Sequence, residues 1–148
     1  MKGMILANLM IGLPAMLLCL VLQATFTVAG VRYYARHIMQ PRSGGQGLLT
    51  EIRPLLMVML IIMLGNFLQI LLWASIFVWL GEFAAFYEAF YHSAVNFAAL
   101  GYGDIVMSRP WKLLGPMEAL NGVLMLGMTA AALMTMLQDL LKRRDMVK

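Results

Sequence analysis

Three apolar runs decide most of what this chain can become: Met4–Val31, Leu55–Leu80 and Leu113–Leu141. At about 1.5 Å of rise per residue, each can cross the ~30 Å hydrocarbon core as a helix with some tilt. Of 148 residues, 62% are hydrophobic and 12% charged, more apolar surface than a soluble domain of this size can hide. The bilayer is therefore the expected solvent, and the expected fold is an all-α membrane protein with three transmembrane helices. Lys2 is the only charge before the first run, which is too long for the apolar stretch of a secretory signal, so it reads as a true span. Gly12 and Pro14 should bend or loosen it near its start.

The charges sit between and after the runs. Residues 32–54 carry Arg32, Arg36, His37, Arg42 and Arg53 around a flexible 41–47 centre, and residues 142–148 form a second basic segment. Both read as cytoplasmic by the positive-inside rule, placing the N-terminus outside the cell membrane and the C-terminus inside. Arg109 and Lys112, on the outer side, are outnumbered. The net charge of +4 is a topology signal and not a nucleic-acid footprint. Solvation and topology account for Arg32, Arg36, Arg42 and Arg53; anionic-lipid binding is the alternative. Tyr33 and Tyr34 suit an interfacial belt, as do Trp73 and Trp79 at the outer end of the second run.

Polar residues inside the runs are few. Asn66 and Gln69 share one helical face near mid-membrane, where an amide needs a partner; interhelical bonding is preferred over an ion pathway. The lone Cys19 has no disulfide mate in the chain and reads as a lipid-facing or packing residue, and the fifteen methionines as packing filler. The chain lacks a Ser-His-Asp set, a His-Glu-x-x-His helix and a phosphate loop, so no enzyme is expected. No cofactor is expected either, and no arginine ladder of a voltage sensor appears within a span. His92 reads as a packing or interfacial residue.

Between the second and third runs lies a stretch too short to span, Ser93–Asp104, ending Ala99-Leu100-Gly101-Tyr102-Gly103-Asp104. Here the chain resembles the pore-loop potassium channels, whose signature is a short pore helix followed by Thr-Val-Gly-Tyr-Gly-Asp. Four of those six positions agree. The resemblance covers residues 55–141 and implies a two-helix pore unit: outer helix 55–80, pore helix near 87–98, filter 99–104 and inner helix 113–141. Residues 1–31 are then an extra helix, expected to pack outside the pore unit. The implied assembly is a homotetramer, in which four loops surround potassium, the permeant ion, with backbone carbonyls of Ala99, Leu100, Gly101, Tyr102 and Gly103.

Gly101 and Gly103 would adopt left-handed dihedrals cheaply, and Tyr102 would brace the filter against the pore helix. Asp104 would either bond behind the filter, with Tyr91 as donor, or face incoming cations. Glu88 would favour the positive end of the pore-helix dipole. On the inner helix, Pro116 suits the first turn with Glu118 close behind it. Gly122 and Gly127 could be a gating hinge or close packing positions. Thr129 and Thr135, among small alanines, would line a water-filled cavity. The chain departs from the family at Ala98 and Ala99, where two threonines are usual, at Leu100 for valine, and at Val95, a common acidic position. Ala99 retains a carbonyl but offers no hydroxyl. Weak cation selectivity, or a non-conducting accessory protein keeping the fold, are the alternatives. No regulatory ligand domain is expected beyond Lys148.

Overall fold

The computed structural model describes residues 2–38 and 48–145, and the side chains of 2–37 and 52–142. Four helices follow in order: α1 Lys2–Ile38, α2 Leu48–Trp79, α3 Phe86–Phe97 and α4 Leu114–Asp145. Among the described residues no β-sheet forms. Three helices are long and apolar enough to cross a membrane, and α3 is the short fourth between α2 and α4. Most of each span stays unburied, with Leu6, Leu17, Val21, Leu60, Met63 and Leu124 among many exposed apolar side chains. A soluble monomer rarely leaves so much apolar surface uncovered; a chain in lipid does.

The helices outrun the apolar stretches. Arg32, Arg36 and His37 continue α1, and Arg53 and Pro54 lie inside α2. Long basic side chains keep their heads in water while their stems follow a helix past the membrane edge. The connection is therefore shorter than residues 32–54, and its Pro41–Gly47 centre with Arg42 lies outside the described residues. Pro14 sits inside an α1 that remains one helix.

At the other end of α2, Gly81 has φ +75°. Glu82 N–H bonds to the Phe77 carbonyl at 3.1 Å and Gly81 N–H to the Val78 carbonyl at 2.9 Å. This paired return is a Schellman stop, with glycine where an L side chain would be strained.

α1 packs against α2 and α4 and does not reach α3, whereas α3 packs against both α2 and α4. One core cluster lies at the α3 end, built on Cys19, Trp73, Phe77, Phe83 and Leu114. A smaller one lies at the far end, around Tyr34, Val58, Ile62 and Met136. Trp73 thus belongs to the core, fully buried near Phe77, while Trp79 is 78% exposed. Tyr34 also turns inward, its hydroxyl oxygen 3.0 Å from the Met136 carbonyl oxygen and 3.1 Å from Asp139 Oδ2. Cys19 is a packing residue.

Buried amides join the three long helices. Gln69 Nε2 donates to Gln23 Oε1 at 2.8 Å, and Gln23 Nε2 to Thr129 Oγ1 at 2.8 Å. Asn66 Nδ2 reaches the same hydroxyl at 3.2 Å. Asn66 and Gln69 therefore bond between helices. Thr129 gives its hydroxyl to α1 and α2 and also lines a cavity of about 430 Å³ with Asn66, Met63 and Leu133. Thr135 stays exposed, its hydroxyl on the Ala131 carbonyl at 2.9 Å.

Candidate functional site: the re-entrant loop

α3 begins after Ala85, with Glu88 in its first turn. Ala89, His92, Ser93, Val95 and Phe97 form its buried face. The helix stops by the same device that ends α2. Leu100 N–H bonds to the Val95 carbonyl at 2.9 Å and Ala99 N–H to the Asn96 carbonyl at 2.8 Å. Ala99 takes the left-handed position, with φ 54°. A glycine would sit there freely; alanine loses about 1–2 kcal/mol.

Beyond this stop the left-handed positions recur at every second residue. Gly101 has φ +60° and Gly103 φ +73°, while neither Leu100 nor Tyr102 has a positive φ. An alternation of left- and right-handed residues turns successive peptide planes the same way, the condition for a row of carbonyls facing one side. Leu100 and Tyr102 carry exposed side chains in the single chain, at 55% and 65%. Tyr102 is therefore not tucked against its own α3. Behind the strand lies a cavity of about 210 Å³, lined in part by His92, Asn96, Gly101, Gly103, Ile105 and Lys112.

The loop is tied down at Asp104 and just after it. Tyr91 hydroxyl donates to Asp104 Oδ2 at 2.7 Å. That bond holds the Asp104 carboxyl below its ordinary value and pushes the Tyr91 phenol up. His92 Nδ1 lies 3.0 Å from the Ile105 carbonyl, and burial lowers the imidazole below its usual value. Further on, Ser108 donates to Glu82 twice, through its backbone N–H and its hydroxyl, each at 2.6 Å. This clip fixes the loop after the strand to the end of α2, and nothing in the local sequence pattern marked it.

α4 supports the site from behind. α4 starts at Leu114, with Pro116 in its first turn and Glu118 just behind it. Glu118 is fully buried and meets α3: Ser93 hydroxyl touches Oε1, and Asn96 Nδ2 lies 3.3 Å from Oε2. The two glycines part company. A Cβ on Gly122 would stand 2.0 Å from the Phe97 carbonyl oxygen, whereas one on Gly127 would meet nothing within 4 Å. Gly122 is a close-packing position; Gly127 is open. Among the described residues no group of three His, Cys, Asp or Glu could hold a metal ion.

Two spanning helices with a half-helix and a glycine-bearing strand folded back between them form a pore-loop unit. Residues 65–139, half of the chain, match the family model described as ion channel, and the chain belongs to that family. No curated protein and no solved structure matches the chain. The match takes in the second half of α2, all of α3, the loop after it and most of α4, and leaves α1 outside it.

Proposed function

We propose that the protein is one subunit of a potassium-selective channel. Four copies place residues 99–103 around a common axis, and the ring of carbonyls replaces the water shed by the ion. The observation that carries this reading is the alternation of positive φ at Ala99, Gly101 and Gly103 directly after α3. The C-terminal end of α3 adds its negative dipole pole toward the same region, which favours a cation there. Asp104 lies at the outer mouth, bonded to Tyr91. The exposed Tyr102 and Leu100 find their packing partners in neighbouring copies. In the cell membrane, the basic ends of α1, α2 and α4 face the cytoplasm and the re-entrant loop faces out. Arg32, Arg36 and Arg53 then stand where anionic headgroups lie.

Weak cation selectivity is the second reading, and Ala99 favours it by taking a hydroxyl ring away from the inner end of the filter. Reconstitution into potassium-loaded liposomes separates the two. Efflux carried by potassium and resisted by sodium supports the first reading. Equal potassium and sodium flux supports the second, and no flux from a verified tetramer refutes both.

A further inference from the structure

Among the described residues, Glu118 is the only charged side chain that is fully buried, and the family resemblance gives it no role. Its surroundings can be read by counting protons. Ser93 Oγ lies 2.9 Å from the Ile70 carbonyl and also against Glu118 Oε1. A hydroxyl has one proton to give, and a carbonyl can only accept. With Ser93 donating to Ile70, the proton between Ser93 and Glu118 must come from Glu118.

The rest of the chain of bonds follows in the same way. Ile105 O can only accept, so the 3.0 Å contact puts the His92 proton on Nδ1. His92 Nε2 then accepts from Asn96 Nδ2 at 2.9 Å, and the second amide proton of Asn96 goes to Glu118 Oε2 at 3.3 Å. Every proton is used once, and no charge is left in a dry site, where an unpaired one would be very costly.

We propose that Glu118, as a neutral carboxylic acid, is a positioning residue for the permeation strand. It locks α4 to α3 through Ser93, and through Asn96 and His92 it reaches Ile105, the residue after Asp104. The pore helix has Val95 at a common acidic position of the resembled family, so the brace comes from the following span instead. Movement of α4 at this depth is thereby felt on both sides of the strand. The role in permeation rests on the filter reading of residues 99–104.

The test uses the full chain in liposomes, with wild type, Glu118→Gln, Glu118→Ala and Ser93→Ala. Infrared difference spectra between wild type and Glu118→Gln should show the carbonyl stretch of a protonated carboxyl at neutral pH. Glutamine can still donate to Ser93 and accept from Asn96, so Glu118→Gln should keep the potassium-to-sodium flux ratio within about twofold of wild type. Glu118→Ala leaves Ser93 and Asn96 unpaired and should change that ratio about tenfold with the oligomer intact by native mass measurement. If Glu118→Ala fails to assemble, Ser93→Ala decides, since it keeps the carboxyl and removes almost no volume, taking away only the hydroxyl's bonds to Ile70 and Glu118; it should shift the carboxyl band and move the ratio in the same direction. Absence of the band, glutamine as harmful as alanine, or wild-type ratios in the deciding variant overturn the proposal. A wild type without potassium preference refutes the potassium reading alone, because the band and the change relative to wild type are read whichever ion is preferred.

Discussion

Replacing Gly122 by alanine puts a methyl group in place of a hydrogen where α4 comes close to the end of α3. The new Cβ would lie 2.0 Å from Phe97 O, 2.7 Å from its carbonyl carbon and 2.8 Å from its Cα. All three are backbone atoms, so no rotamer change relieves them. Reaching ordinary contact at 3.4 Å requires the two helices to part by about 1.4 Å at that point. Overpacking of this kind costs about 1–3 kcal/mol, and a backbone-on-backbone clash belongs at the upper end. Alanine returns up to about 1 kcal/mol through helix propensity. The net expectation is a loss of about 2 kcal/mol, with the strain delivered two residues before Ala99. Thermal unfolding in detergent should therefore fall by several degrees, and liposome flux should fall with it. Gly127→Ala is the matched control: the same propensity gain with no atom within 4 Å. It should melt at or above the wild-type temperature. A drop in its flux without a drop in stability would identify Gly127 as a bending point of the gate. Wild-type melting and flux in Gly122→Ala would refute the close-packing argument.

Four further outcomes follow from the site. Tyr91→Phe removes the bond that depresses Asp104, so the carboxyl should titrate nearer its ordinary 3.8, and external acid should reduce conduction at a higher pH than in wild type. Because the folded chain holds His92 below 6.5, the unfolded chain binds its proton first; detergent stability should fall as pH drops from about 6.5 toward the folded value, and His92→Gln should flatten that slope. Gln69→Leu strips Gln23 of a buried partner and should lower thermal stability by about 1 kcal/mol, with ion preference unchanged. Ala99→Gly relieves the left-handed strain and should stabilise the assembly by up to about 1 kcal/mol in the same melting assay.

The spans and the re-entrant helix were legible because they rest on run length and on a stretch too short to cross. Helix ends were not. Composition marks where hydrocarbon gives way to water, and Arg32, Arg36 and Arg53 sit on helices that continue past that edge. Trp73 misled in a similar way, since nearness to an interface along the chain says nothing about which side of α2 it occupies. Glu118 looked like a dipole residue because its position in α4 was the only local information. Its partners Ser93 and Asn96 lie 25 and 22 residues back, where no pattern in a single sequence connects them. Thr129 read as a cavity residue by size, and only the placement of Gln23 revealed its bond. Ala99 was legible as a departure from the resembled family, but its backbone conformation was not.

The amide bonds between α1, α2 and α4 bear on how such a chain is made. Gln23, Asn66, Gln69 and Thr129 find these partners within one chain, across 46 to 106 residues of sequence. A newly inserted copy can therefore shield these amides from the acyl chains before it meets another copy, provided α1 is already in the bilayer when α2 arrives. Synthesis from the N-terminus supplies that order, with Gln23 waiting for Gln69 and the pair then receiving Thr129. Expressed as separate pieces, residues after α1 would enter the membrane with Gln69 and Thr129 lacking Gln23, a state open to mispairing and removal by quality control. Supplying α1 in trans should rescue the yield of the remainder.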